Sequence, residues 1–261
     1  MGDDRLAHEI AGSVDAPIEL LPALSELFAG IASLGSSPGP VIRMLRGAGL
    51  RREHRVLDLA CGKGALAIQL AARVGCSVLA VDACPAFLES AAAYAVRRGA
   101  ADRVRWLHAD VRRAPRQVLR GGSRRGFDAA LMLGLFPLAE AAQLLRRLTR
   151  PGGIYVIDDC VLDHRRGRPP RELAATPTPA ECDALIELLG DRVEAIDLPS
   201  PSRTYRMNER LYVRLARNAE AVRRDHPRLR AALREFLRRQ RAANEILCGP
   251  VRPCVWLIRR L

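Results

Sequence analysis

An α/β fold, doubly wound around a mainly parallel sheet with helices on both faces, is what this sequence predicts, on three observations. From Arg55 onward, short runs rich in β-forming residues alternate with longer amphipathic stretches of helical period. The joints between them carry turn residues, as in Gly62-Lys63-Gly64 and Pro151-Gly152-Gly153. The chain is also long enough, at 261 residues with 49% apolar side chains, to bury both faces of a sheet.

Each element follows from local pattern. Residues 1–50 read as an N-terminal helical cap: Ile18, Leu21, Leu24, Leu27, Phe28 and Ile31 form a stripe at helical spacing across Pro17–Leu34. The run Gly35-Ser36-Ser37-Pro38-Gly39-Pro40 breaks it, and a short helix through Val41, Ile42, Met44 and Leu45 follows. Residues 51–261 read as the main domain. His54–Leu59 is strand one, Gly64–Val74 a helix, Ser77–Val81 strand two, and Pro85 opens a helix running to Arg98. Val104–His108 is strand three, Phe127–Leu133 strand four, Leu138–Leu148 a helix, and Ile154–Ile157 strand five after its glycine turn.

The last third is organised differently. Residues 164–180, rich in Arg and Pro, read as a connection. Pro179–Leu189 is a helix and Val193–Leu198 a sixth strand. Residues 199–250 then hold two helices, Met207–Arg224 and Arg228–Leu247, before a final strand at Pro253–Ile258. So long and regular an insertion reads as a helical cap, enclosing a substrate together with the N-terminal helices.

Charge and composition narrow the function. All but one of the 42 basic residues are arginine, the exception being Lys63, and the net charge is +13. Arginine over lysine suits a GC-rich coding sequence, whereas the excess of base over acid remains compatible with an acidic substrate or a nucleic acid. No apolar run is long enough to span a membrane and no apolar signal core follows the N-terminus, so a cytoplasmic location is expected. The seven cysteines contain no Cys-x-x-Cys pair, which points to reduced thiols with neither a disulfide framework nor a zinc site.

Ligands of open parallel sheets bind at the carboxyl ends of the strands, and there the informative residues fall. Asp58-Leu59-Ala60-Cys61-Gly62-Lys63-Gly64 closes strand one and opens a helix, with glycines where the backbone must turn sharply. Asp82 closes strand two, placed to accept hydrogen bonds from a ribose diol, and Asp110 follows strand three, within reach of an adenine amino group. The glycines alone also fit a dinucleotide fingerprint, which leaves a dehydrogenase open. Ordinary helix-capping or arginine-paired carboxylates are the plainer alternative for all three acids.

Taken in order, Val56–Gly64, Val81-Asp82, His108–Val111, Phe127–Leu131 and Pro151–Ile157 resemble five successive motifs of the class I S-adenosylmethionine-dependent methyltransferases, over roughly residues 50–160. The resemblance implies a seven-stranded sheet with an antiparallel last strand, and S-adenosylmethionine as cofactor. It implies that Asp58 contacts the cofactor's methionine end, Asp82 its ribose and Asp110 its adenine, with Ala60, Cys61, Gly62, Gly64, Ala83, Val111 and Leu133 also binding the cofactor. Strand four ends in Leu133-Gly134-Leu135-Phe136, without the Pro-Pro-aromatic signature of enzymes that methylate amino groups in nucleic acids. A small-molecule acceptor is therefore expected, RNA methylation and NAD(P)-dependent dehydrogenation being the alternatives.

The acceptor side is less well marked. Asp158 at the end of strand five is a candidate to orient or deprotonate the acceptor, with its neighbour Asp159 as the other acid there. Glu209 is a second candidate base, and Tyr205 a positioning donor; with Tyr212 they share one helical face. Asp128, at the start of its strand, reads as structural. Lys63 either touches the cofactor carboxylate or is solvated. Cys61, Cys84 and Cys160 all follow strands and suit a thiophilic acceptor, with apolar filling as the plainer reading.

Overall fold

The computed structural model describes residues 2–114, 118 and 126–261. The chain divides into two compact units: one holds the residues up to Ile31 with Cys160–Pro177 and Leu198–Pro253, the other Ala32–Asp159, Thr178–Asp197 and Cys254–Leu261.

The larger unit is built on a seven-stranded sheet. Its strands are β1 (Arg55–Leu59), β2 (Ser77–Asp82), β3 (Val104–His108), β4 (Phe127–Leu133), β5 (Thr149–Leu162), β6 (Arg192–Asp197) and β7 (Val251–Arg259). They lie in the order β3-β2-β1-β4-β5-β7-β6. β1 to β5 pair in parallel and β7 runs antiparallel to β6, as expected. The chain starts in the middle of the sheet, winds out to β3, and returns beside β1 as β4. The turns leaving β1 and β4 therefore diverge, opening a crevice at their carboxyl ends.

The helices in chain order are α1 (Gly2–Gly12), α2 (Leu24–Leu27), α3 (Pro38–Gly47), α4 (Ala65–Arg73), α5 (Pro85–Arg97), α6 (Leu138–Leu148), α7 (Pro179–Leu188), α8 (Pro201–Asp225) and α9 (Arg230–Cys248). On one sheet face, Val56, Val78, Ala80, Leu131 and Val156 pack with Val41 and Leu45 of α3 and Leu66 and Leu70 of α4. Toward the other face, α6 packs on β4 and α7 on β6. Central strands covered on both sides need apolar residues at nearly every position, and Val56 to Leu59 are accordingly all buried.

Three expectations are corrected. The stripe across Pro17–Leu34 is not one helix: Pro22 has no N–H to donate, so the segment is a 3-10 turn (Ile18–Ala23) followed by the short α2, and Gly30 takes a left-handed φ of 68°. Its apolar residues still do the work the stripe implied, since Leu20, Leu24, Leu27, Phe28 and Ile31 are buried. Strand five does not begin after the glycine turn. Gly152 N–H donates to Arg260 O and Arg260 N–H to Gly153 O, both at 2.9 Å, so the neighbouring C-terminal residues draw Pro151-Gly152-Gly153 into β5. The first long helix begins at Pro201, not Met207, because the Ser200 hydroxyl accepts the Arg203 N–H and Pro201 occupies the first turn.

In the smaller unit, α8 and α9 pack along each other. Phe28 meets Phe236 edge-to-face at 6.1 Å, and the Asn218 amide donates to Leu27 O and Ala29 O, both at 2.9 Å. Among the described residues no helix is long and apolar enough to cross a membrane.

One buried network ties the C-terminus of the chain to the sheet. Asp191 accepts hydrogen bonds from Tyr155 Oη at 2.8 Å, Arg146 Nε at 2.9 Å and Leu261 N at 3.1 Å, and its side chain is fully buried. Asp191→Ala leaves a buried phenol and a half-buried guanidinium without their acceptor, and is expected to lower stability by about 3–5 kcal/mol. Tyr155→Phe is expected to cost only about 1 kcal/mol; urea unfolding of the two variants checks both values.

Candidate functional site

The carboxyl end of β1 passes into α4 through a turn that an ordinary backbone resists. Ala60, Gly62 and Gly64 take φ values of 56°, 54° and 69°. For Ala60 that conformation costs roughly 1–2 kcal/mol. Gly64 has no alternative, since a Cβ there would lie 2.5 Å from Trp106 Cη2 and 3.1 Å from the Ala91 methyl. At Gly62 a Cβ would meet Leu34 Cδ1 at 3.0 Å.

Hydrogen bonds stitch this turn to the next two. Cys61 N–H donates to Val81 O at 3.0 Å and Gly62 N–H to Asp82 Oδ2 at 2.7 Å. Asp82 Oδ1 accepts from Cys84 N at 2.8 Å. Ala109 N–H donates to Asp82 O, and His108 Nε2 lies 3.1 Å from Ala83 O. After β3, Asp110 Oδ1 accepts from Arg112 N at 2.9 Å.

Strand register decides which side chains share a face. Asp58 pairs with Ala80 and Leu131, Asp82 with His108, and Leu133 with Asp158. Because side chains alternate with a period of two, Asp58, Asp82, Leu133 and Asp158 all project from one face at the carboxyl edge, the face covered by α3 and α4. Asp82 and Asp158 stand in the same row, three strands and so about 14 Å apart. Ala60, Cys61, Gly62 and Gly64 line the first turn between them, while Ala83, Asp110 and the buried Val111 extend the edge past β2 and β3.

The carboxylates are held in costly surroundings. Asp58 is 3% exposed, and its Oδ2 is buried with no hydrogen-bond partner. Burial first and then the Asp82 charge push it up to about 7, against a smaller pull from the Ala67 amide. Asp82 is also raised by burial, although the Cys84, Gly62 and Ala83 amides and His108 oppose the shift. Asp158, half-buried with its Oδ1 unsatisfied, is pushed up to about 6 by burial and by Asp159, with Ser36 and the Gly134 amide countering. Among the described residues none of Asp58, Asp82 and Asp158 is ion-paired, although arginines pair with Asp128, Asp163, Asp191 and Glu194 elsewhere.

The other candidates separate on geometry. Asp159 Oδ2 accepts from Leu138 N at 2.8 Å, so it caps α6 while Asp158 remains available. Tyr205 and Glu209 lie on α8 in the smaller unit, Tyr205 at 52% exposed. Both help Arg241 keep its proton, behind Tyr212, whose ring it covers at 4.3 Å. Asp128 ties β4 to Arg150 at 2.7 Å and to the Arg55 amide at 2.8 Å, matching its structural reading. Lys63 is 8% exposed, so it is not the solvated side chain of one alternative, and burial lowers its pKa. The cysteines form no disulfide, and burial and neighbouring acids push Cys61 well above the usual thiol range, which opposes thiolate chemistry there. Among the described residues no three or more of His, Cys, Asp and Glu gather as metal ligands.

Sequence reading missed Ser36, Trp106 and the Arg112 guanidinium 5.1 Å above the Phe136 ring, and took Gly134 only as part of the apolar turn after strand four. Only the glycine–serine break at 35–37 signalled any of these, and it read as a loop.

Residues 56–153 match the family model of the methyltransferase domain. The match favours the methyltransferase reading of this segment over the dehydrogenase alternative. No protein of curated function matches the chain. Among solved structures the chain is similar to YjhP from E. coli, at 20% identity and a TM-score of 0.73 over 91% of this chain and 98% of that one. It is similar to an S-adenosylmethionine-dependent methyltransferase from Geobacter sulfurreducens solved with S-adenosyl-L-homocysteine, at 22% identity and a TM-score of 0.71 over 91% and 96%. Coclaurine N-methyltransferase, bound to N-methylheliamine and S-adenosylhomocysteine, follows at 17% identity and a TM-score of 0.63 over 84% and 71%. At these identities the likeness is one of fold, and the methyltransferase domain accounts for the sheet order.

Two outcomes follow for the domain. Gly64→Ala forces a left-handed alanine against Trp106 and is expected to cost about 2–4 kcal/mol in urea unfolding. For Asp58, the folded-state value rises from 3.8 to about 7, so the folded protein keeps a proton that the unfolded chain releases as pH climbs between those values. The associated stability is complete at low pH and lost toward pH 7. Asp58→Asn removes the loss: it should match the parent near about pH 4 and exceed it at about pH 8 by on the order of 2–4 kcal/mol, read from unfolding curves at both pH values.

Proposed function

We propose that the domain binds S-adenosylmethionine along the β1–β2–β3 edge and transfers its methyl group to a small organic acceptor at the ends of β4 and β5. The observation that carries this is the unsatisfied, buried Asp58 Oδ2 beside a tight left-handed turn. A carboxylate in that state favours a cationic ligand, and the methionine ammonium of the cofactor supplies one. Ala60, Cys61, Gly62 and Gly64 let the ligand approach the backbone closely. Asp82 accepts from Gly62 and Cys84, with the Ala83 amide also acting on it, and its remaining acceptor capacity is left for the ribose hydroxyls. Asp110 and Val111 fit the adenine end, and Leu133 borders the reacting centre.

Bound there, S-adenosylmethionine supplies a methyl carbon activated by the adjoining sulfonium. The protein's share is alignment and exclusion of water more than strong acid–base assistance. Asp58 and Asp82 fix the methionine end and the ribose of the donor, two and three strands respectively from Asp158. Asp158 is the acid proposed to meet the acceptor. Tyr205 and Glu209 remain proposed as acceptor-side contacts, tested by Tyr205→Phe and Glu209→Gln. The apolar Leu133-Gly134-Leu135-Phe136 turn favours a small acceptor with an apolar body, and the similarity in fold to coclaurine N-methyltransferase agrees with one.

Calorimetric titration with S-adenosylmethionine, with NADH in parallel, tests the donor. Micromolar binding of the first and none of the second is expected. Asp82→Ala should weaken that binding by about 10- to 100-fold through the lost charge-assisted bonds, and unchanged affinity in the variant would reject the proposed ribose contact. Labelled methyl appearing in RNA, with a steep salt dependence, would reject the small acceptor.

A further inference from the structure

Resting on the donor site just proposed, the chemistry of the edge beyond it defines the class of acceptor. The protein carries a net charge of +13, and its arginines take up carboxylates across the larger unit: Arg150 on Asp128 at 2.7 Å, Arg146 on Asp191 at 2.9 Å, and Arg259 on Glu194 at 2.7 Å. Asp158 stands apart from that pattern. Its carboxyl takes hydrogen bonds from the Ser36 hydroxyl and the Gly134 amide, and among the described residues it makes no ion pair. Oδ1 is buried and unsatisfied. Asp159 is committed to the α6 N-terminus through Leu138 N. The cations of the same edge stand elsewhere: Lys63 is buried in the β1 turn, and Arg112 covers Phe136 after β3.

An anionic acceptor placed at Asp158 would be repelled by its carboxylate. A neutral hydroxyl would leave the buried carboxylate charge uncompensated. A protonated amine supplies the missing charge and hydrogen bonds together. Leu133, paired with Asp158 in strand register, suits the carbon frame of such an amine.

The geometry points to a small, protonated primary or secondary amine on an apolar frame as the methyl acceptor, with Asp158 holding the ammonium and taking its proton. An ammonium nitrogen has no lone pair to attack with, so the proton must leave first. It passes from nitrogen to a carboxylate oxygen of Asp158 and thence to water. The freed lone pair forms the N–C bond as the C–S bond breaks, its electrons staying on sulfur. An ammonium and a sulfonium are consumed; a methylated ammonium, a thioether and one proton are released.

The assignment has a pH signature. Asp158 must be ionised to hold the ammonium, so binding is intact above about 6 and lost as pH falls through that value. The Ser36 hydroxyl and the Gly134 amide hold that value down against burial and the Asp159 charge.

The test uses the full chain with primary and secondary amines on benzyl and phenethyl frames, each against the alcohol and carboxylate of the same frame. Binding to the protein saturated with S-adenosylhomocysteine is read by calorimetry from about pH 5 to 8, and transfer of labelled methyl from S-adenosylmethionine is read alongside. Amines are expected to bind and accept label while the alcohols and carboxylates do neither, with amine affinity falling below about pH 6. Asp158→Asn should keep its affinity for S-adenosylmethionine, which reports correct folding. It should lose the acid limb of amine binding and reduce kcat/KM by roughly 10²- to 10⁴-fold. Label in alcohols, carboxylates or RNA, no label in any amine, or wild-type amine turnover in Asp158→Asn overturns the assignment while the donor reading stands. Failure of S-adenosylmethionine itself to bind overturns the donor reading.

Discussion

The turn from β1 into α4 is the constraint around which the larger unit is arranged. The central strand of a parallel sheet must end, reverse hand and begin a helix within a few residues, and Ala60, Gly62 and Gly64 all adopt positive φ to do so. Asp82 makes this tolerable by accepting the Gly62 amide at 2.7 Å, so the conformation of one turn is held by the side chain closing the neighbouring strand. Its own backbone carbonyl receives Ala109 after β3. Three successive turns are thereby locked in register before any ligand is present, which is what an enzyme working by alignment requires. Trp106 fills the space that a side chain at position 64 would need, tying the turn to the core as well.

Charge is distributed with the same economy. Arginine dominates the basic residues, and the described structure spends it in links such as Arg146 with Asp191 and Arg259 with Glu194. The acids Asp58, Asp82 and Asp158 stay buried or half-buried without such partners. In the protein alone this is unfavourable, since it holds Asp58 near 7 and Asp158 near 6. With the proposed cationic donor bound it would become favourable, stability being traded for affinity. A methyl donor bearing a sulfonium and an ammonium suits the β1–β2 end of that edge. The same logic, extended to Asp158, distinguishes an amine from other acceptors.

The overall net charge is thus a poor guide to what the site takes. A surplus of base suggests a polyanion, but the field felt by a ligand depends on the few groups nearest it, and among the described residues the proposed site holds Asp58, Asp82 and Asp158. Asp159 illustrates how finely the distinction is drawn. It neighbours Asp158 in sequence, but alternation turns it to the opposite sheet face, where it caps α6.

The sequence by itself determined the αβ alternation, nearly every strand in the sheet, and the acids at the ends of β1, β2 and β3, because these depend on short-range periodicity and on turns that only glycine accommodates readily. It also marked Asp128 as structural from its place at the start of a strand. Tertiary structure alone decided the rest. Pro151-Gly152-Gly153 belongs to β5 because Arg260, over a hundred residues later, supplies its hydrogen bonds. Pro22 broke a helix whose hydrophobic stripe was otherwise correct, and its apolar residues were buried all the same. The common face of Asp58, Asp82, Leu133 and Asp158, and the presence of Ser36 beside the last of them, follow from strand register and packing. Register is a relation between distant segments, and no local pattern records it.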